Sequence, residues 1–128
     1  MRLYSFTNYY LSPIQQGIQT AHLVGEMSQK TLVDNGYYHR WVNYYKTIIV
    51  LNGGNNFALR ELSTRLKELT ECYNFYQTVS SFYEDRESLN GAMTAVGLIV
   101  PEEVYDASKD PLNQFQTLRN FLNGFKLA

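Results

Sequence analysis

A strand, a tight turn, a capped helix and a second strand follow one another in the first half of the chain, and this passage narrows the possible folds most. Leu3 to Tyr10 is rich in aromatic residues and carries Tyr4 and Phe6 on one face, Ser5 and Thr7 on the other, as a strand does. Ser12 is a natural N-cap, Pro13 suits the first helical position, and Gln15 stands where a capping box requires a glutamine. Ile14, Ile18, Ala21, Val24 and Met27 then recur at helical spacing and predict the buried stripe of the first helix. The turn signal Asp34-Asn35-Gly36 leads into a short aromatic helix over Tyr37 to Tyr45. Thr47 to Leu51 is continuously β-branched or apolar, the character of an interior strand covered on both faces.

The second half continues the alternation. Asn52-Gly53-Gly54 ends the strand, Asn55 or Asn56 caps the next helix, and Leu59, Leu62, Leu66 and Leu69 form its apolar stripe. Arg60, Glu61, Arg65, Lys67 and Glu68 fall on the wet side. Tyr73 to Phe82 and Met93 to Val100 read as strands, the latter closed by Pro101, with a solvated loop between them ending in the turn pair Asn90-Gly91. Glu102 to Lys109 predicts a short helix, and Asp110-Pro111 starts a last one striped by Leu112, Phe115, Leu118, Leu122 and Phe125. Two strand-helix-strand passages imply a three-layer α/β/α sandwich built on a mixed sheet of about four strands. One domain over residues 1–128 is expected, with the helix at about 110–126 as an extension.

At 128 residues and 45% hydrophobic the chain has enough apolar side chains for one core. Its apolar runs are too short to cross a bilayer and its first residues lack the pattern of a signal peptide, so a cytoplasmic location without membrane contact is expected, the host cytoplasm if the protein is viral. The single cysteine, Cys72, forms no internal disulfide and reads as packing or a partly covered thiol near a helix end. No metal-ligand spacing is present, and neither a metal nor a cofactor is expected. Eleven Lys and Arg against twelve Asp and Glu give a net charge of -1 with no basic run, which disfavours a long polyanion as the partner.

The order of parts, together with Gln19, Ala21 and His22 on the first helix, resembles the type II peptidyl-tRNA hydrolase family over roughly residues 3 to 102. The resemblance implies the same α/β sandwich, a dimer or higher homo-oligomer, and an esterase site formed by the first helix and the loop after the third strand. The family's Lys, four residues before the Gln, is replaced here by Gln15. Glu84 or Asp85 stands for the loop's Asp, and Ser88 for its Thr. In ester hydrolysis such a Lys holds phosphate or stabilises the oxyanion while the carboxylate orients water or a hydroxyl, and an uncharged amide supplies neither attraction nor charge.

Three functions follow as expectations. The first is binding and sequestration of a small nucleotide-type ligand, such as a cyclic ADP-ribose-like or cyclic dinucleotide immune signal, in a phage anti-defence role. Its site would be Asn8, Tyr9, Tyr10, Ser12, Gln15, Gln19, His22 and Glu84, with free N-H groups at the helix start for phosphate and tyrosines for stacking. A second phosphate reading falls on Gly53-Gly54. The alternatives are an active peptidyl-tRNA hydrolase and a phosphodiesterase that cleaves a cyclic nucleotide signal, with His22, Glu84, Asp85 and Ser88 as catalytic candidates. His22 also reads as a packed histidine, Glu84 to Ser88 as a solvated turn, and the eleven tyrosines as core and subunit packing.

Overall fold

Alternation along the first strand decides what covers each side of the sheet. The structure, a computed structural model, describes residues 1–84 and 91–128. Strand β1 (Arg2–Thr7) runs parallel to β2 (Ile48–Asn52), from Leu3 opposite Ile48 to Thr7 opposite Asn52. On its other side it runs antiparallel to β4 (Met93–Val100), which is buried along its whole length and pairs outward with β3 (Ser80–Tyr83). The order β2-β1-β4-β3 makes a four-stranded mixed sheet. This is the α/β sandwich expected from the sequence.

Helix α1 (Pro13–Ser28) packs on the Ser5 face of the sheet. Its buried residues are Gln19, Thr20, Leu23 and Met27, whereas Ile14 and Ile18 are 78% and 49% exposed and Ala21 is exposed too. The predicted stripe is therefore rotated, because Ser5, Thr7 and Thr94 lie beneath the first turns and accept polar side chains there. Leu23 seats against Gly97, where an added Cβ would lie 2.2 Å from the Tyr4 carbonyl oxygen and 2.7 Å from Leu23 Cδ2. Only glycine permits that approach.

On the opposite, Phe6 face lies helix α3 (Asn56–Thr70), capped by Asn55, whose side chain accepts the Ala58 N-H. Leu59, Leu62 and Leu66 bury as the leucine stripe requires, and Phe125 meets Phe6 edge-on at 4.8 Å. Between β1 and β2, buried Asp34 accepts the N-H groups of Gly36 and Tyr38 and starts α2 (Tyr37–Arg40). A π-helical turn, Trp41–Tyr45, follows and closes with Lys46 at φ +63°, while Trp41 Nε1 donates to the Thr47 carbonyl at 2.8 Å.

Several boundaries differ from those expected. Strand β1 stops at Thr7, because Asn8 leaves the ladder to cap a turn with its own side chain. Strand β2 is an edge strand, with Ile48 41% exposed and its border partly covered by the chain's end: Leu127 bridges Leu51, and Ala128 N donates to the Val50 carbonyl. Tyr73 to Val79 forms turns around a short 3-10 helix, Tyr76–Thr78, where Thr78 bonds to the Phe75 and Ile99 carbonyls, so β3 begins only at Ser80. Past β4, α4 (Glu102–Tyr105) is followed by a separate 3-10 turn, Ala107–Lys109.

The last helix, α5 (Gln116–Asn123), starts later than Asp110 and leaves Leu112 exposed. Asp110 is instead a buried anchor. It accepts the N-H groups of Gln114 and Phe115 and pairs at 2.6 Å with Arg119, which also donates to the Glu103 and Val104 carbonyls. Cys72, near the end of α3, is exposed.

Two measurements check this packing. Gly97→Ala should destabilise by about 1–3 kcal/mol through overpacking, while Gly25→Ala on α1, with nothing within 4 Å of the added carbon, should be neutral or stabilise by up to about 1 kcal/mol. Equal midpoints for the two variants in urea would contradict the Leu23 contact. For Asp110, burial pushes the carboxyl upward, but the Phe115 N-H, Arg119 and the Gln114 N-H outweigh it and hold the group below its ordinary value. Folded pKa below unfolded pKa means the anchor stabilises fully above pH ~4 and is lost as pH falls through the folded value. The Tm gap between the wild type and Asp110→Asn should accordingly narrow in acid, and a gap that stays constant down to pH 2 would refute the assignment.

Candidate functional site

Gln19 joins three elements of the fold. Its Nε2 donates to Glu84 Oε2 at 3.0 Å, just past the end of β3, and its Oε1 accepts the Thr94 hydroxyl of β4 at 2.8 Å. A carboxylate only accepts, so the amide NH2 must face Glu84 and the amide oxygen must face Thr94. The network thereby fixes which way the amide points. Gln19 and Thr94 are buried and Glu84 is half-buried, and a hydrogen bond to a charged group in that setting contributes more than one in water.

A β-bulge puts Thr94 in reach. Phe82 pairs with Ala95 and Tyr83 with Met93, so Thr94 is the residue left over in β4. A bulge re-aims a side chain, and here it turns Thr94 onto the α1 face beside Ala95. The Thr94 carbonyl accepts the Asn8 N-H at 3.2 Å, which ties the loop after β1 to the same point. One strand residue inward, Ser5 Oγ and Thr20 Oγ1 bond at 2.8 Å. Thr7 Oγ1 is buried and has no hydrogen-bond partner among the described residues. Ser5, Thr7, Gln19, Thr20 and Thr94 form a polar wedge between helix and sheet.

Of the expected site residues, Gln19 and Glu84 meet directly and Asn8 reaches them through Thr94. His22, one turn beyond Gln19, is exposed and stacks on Phe82 of β3 with centroids 4.5 Å apart and planes 9° from parallel. Tyr9 and Tyr10 are exposed on the Asn8 loop with ring centroids 4.0 Å apart. The Tyr10 side chain raises the Tyr9 pKa, so Tyr9 stays a neutral phenol at physiological pH. The candidates Asp85 and Ser88 lie outside the described residues.

Ser12 and Gln15 are occupied elsewhere. Ser12 Oγ accepts the Gln15 N-H at 3.2 Å and Gln15 Oε1 accepts the Ser12 N-H at 3.0 Å, a complete capping box. Gln16 N donates to the Ser12 carbonyl, and Pro13 has no N-H, leaving the Ile14 N-H of the first turn for any anion. The amides of Gly53 and Gly54 are likewise spent on the Thr7 carbonyl and Asn52 Oδ1, which closes the second phosphate reading. Helix α1 carries neither Lys nor Arg from Pro13 to Ser28.

The residues that sequence reasoning missed are Thr94, Ser5, Thr7, Thr20 and Phe82. A threonine within the apolar run of β4 was the available signal for the first. Among the described residues no group of His, Cys, Asp and Glu is arranged to hold a metal ion. No helix there is long and apolar enough to cross a membrane. A cavity of about 300 Å³, apolar at Ala58, Leu62, Phe121 and Phe125 and bordered by Gly53, Glu61 and Arg65, lies on the other face of the sheet, apart from Gln19. No protein-family profile matches the chain, and no curated protein matches it.

The capping box can be checked directly. Ser12→Ala should cost about 1 kcal/mol and speed amide hydrogen exchange at Gln15 and Gln16, while Ser12→Asp should leave both close to wild type. Unchanged exchange in Ser12→Ala would mean that the first turn is held by something else.

Proposed function

We propose that the protein binds and retains a small nucleotide-type ligand in the crevice beyond the carboxyl end of β1. The observation that carries this reading is the Thr94–Gln19–Glu84 hydrogen-bond chain, which joins the buried interface to a half-buried carboxylate, with the His22 and Phe82 rings stacked on the same face of the sheet. Ring faces of this kind accept a base by stacking, and the carboxylate with the second N-H of Gln19 supplies acceptor and donor for the sugar or base edge. Asn8, whose N-H bonds the Thr94 carbonyl, and the exposed Tyr9 and Tyr10 that follow it lie at the same end of β1.

Charge favours a small ligand over a polymer. The net charge is -1 and α1 lacks cations, so counterion release from a long phosphate backbone has little to draw on. The type II peptidyl-tRNA hydrolase resemblance enters here as a scaffold whose Lys position, Gln15, caps its own helix instead of serving the crevice. Retention of a signal such as a cyclic ADP-ribose-like molecule or a cyclic dinucleotide, in an anti-defence role, suits such a site. A second reading, ester hydrolysis of peptidyl-tRNA, is favoured by one observation, a carboxylate oriented by a glutamine as a water-positioning group needs to be.

Calorimetry with cyclic and linear adenine nucleotides, followed by chromatography of ligand released from heated protein, tests the proposal. We expect saturable binding, recovery of intact ligand, and affinity at least about tenfold weaker in Gln19→Leu, from loss of a charge-assisted network. A shortened product would point to a phosphodiesterase instead. Peptidyl-tRNA turnover that disappears in Glu84→Ala would favour the hydrolase. No binding by any member of the panel would overturn the proposal.

A further inference from the structure

We propose that the Asn123–Gly124 linkage is a modification site, at which Asn123 loses ammonia, the main chain becomes an isoaspartyl linkage, and the segment after it comes away from β2. The proposal stands apart from the nucleotide-binding reading. A glycine after an asparagine favours this reaction, because without a Cβ the glycine nitrogen can close on the asparagine side chain. Among the described residues that pair occurs at Asn35-Gly36, Asn52-Gly53 and Asn123-Gly124. Their surroundings tell them apart.

The reaction needs the glycine N-H and the asparagine amide carbon free to meet. At Asn35 both partners are tied, since Gly36 N-H donates to Asp34 Oδ1 at 2.9 Å and Asn35 Nδ2 donates to the Asn74 carbonyl at 2.6 Å. At Asn52 the same holds. Gly53 N-H donates to the Thr7 carbonyl at 2.8 Å and Asn52 Oδ1 accepts the Gly54 N-H at 3.0 Å. An added carbon on Gly53 would lie 2.5 Å from Leu59 Cδ2, so this backbone is enclosed by packing as well. Asn123 differs. It is the last residue of α5, it is exposed, and its side chain makes no hydrogen bond among the described residues. Gly124 N-H is held by the Phe121 carbonyl at 3.2 Å, in the final turn, where a helix frays first.

When that bond opens, hydroxide takes the Gly124 amide proton and the nitrogen attacks Asn123 Cγ. The new Cγ–N bond closes a succinimide ring as the Cγ–Nδ2 bond breaks, and Nδ2 leaves as ammonia with a proton from water, which regenerates hydroxide. Water then opens the ring. Addition at Cγ gives aspartate, whereas addition at the Asn123 main-chain carbonyl gives isoaspartate, whose main chain runs through Cβ and Cγ and is longer by one carbon.

The position supplies the consequence. Phe125 packs edge-on against Phe6 and Phe121 at 4.8 and 5.3 Å, and beyond it the Lys126 carbonyl accepts the Asn52 N-H while Ala128 N-H donates to the Val50 carbonyl. A longer main chain just before Phe125 displaces the ring from its contacts and the tail from its register. The new carboxylate also stands at the C-terminal end of α5, where the helix dipole disfavours it.

Ageing the folded full chain at mildly alkaline pH, followed by peptide mapping and labelling with an isoaspartate-specific methyltransferase, tests the chemistry. Asn123 should convert at least about tenfold faster than Asn35 or Asn52, the difference that local opening against tied bonds provides. In the urea-unfolded chain all of them should convert at similar rates. Asn35 or Asn52 converting as fast as Asn123 in the folded chain, or Asn123 not converting at all, would overturn the proposal. Hydrogen exchange tests the release: the Asn52 and Ala128 amides should exchange at least about tenfold faster in aged wild type than in fresh protein, and should not change on ageing Asn123→Gln. Unchanged exchange in aged, isoaspartyl-containing wild type would refute release of the tail.

Discussion

The site depends on how closely α1 lies on the sheet. Gly97 has no side chain, and Leu23 occupies the space a Cβ would take, against the Tyr4 carbonyl. That contact sets the height of the helix. One turn earlier, Gln19 then falls within 3 Å of both Thr94 and Glu84, which belong to different strands' ends. Hydrogen-bond geometry tolerates only a few tenths of an ångström, so a bulkier residue at Gly97 would lift Gln19 out of reach before it unfolded the domain. Packing in the apolar half of the interface is thus what aligns the polar half.

The polar wedge has an energetic cost that the rest of the interface offsets. Ser5, Thr7, Gln19, Thr20 and Thr94 occupy positions where aliphatic side chains would stabilise, and a buried hydroxyl with no partner among the described residues, as in Thr7, costs on the order of 1–3 kcal/mol. Leu23 and Met27 bury fully at the other end of α1 and contribute roughly 1.5–3 kcal/mol each. A helix held by apolar contacts at one end thus carries its buried polar side chains toward the carboxyl end of β1. Local departures from an apolar interior are the usual mark of a working site.

Much of the architecture could be read from the chain. The capping box at Ser12, the leucine stripe of α3 and the apolar stretch of β4 from Ala95 to Val100 all stand where their patterns put them, because each is a local device with its own period or spacing. Errors came where tertiary contacts override local preference. Ile14 and Ile18 follow a helical period, yet the polar wedge turns them outward. Thr47 to Leu51 reads as interior from its unbroken apolar run, yet β2 lies at the sheet edge with Ile48 exposed, and the partial cover from residues 126–128 is a contact no local pattern announces. Asp110 reads as a helix start, yet Arg119 draws it inward. For the site, Gln19 and Glu84 were legible as types, but Thr94 was not, since a bulge displaces one residue of a ladder and depends on both strands.

The last residues of the chain also have a protective effect. By lying along β2 they satisfy part of a ladder, the Val50 carbonyl and the Asn52 N-H on either side of Leu51, that would otherwise stand bare. Such a border is a template for other chains. Clipping Lys126 to Ala128 would strip the guard from that flank and leave an open strand edge on which another chain can pair. Proteolytic trimming would then show itself first as clumping, well before the core unfolds.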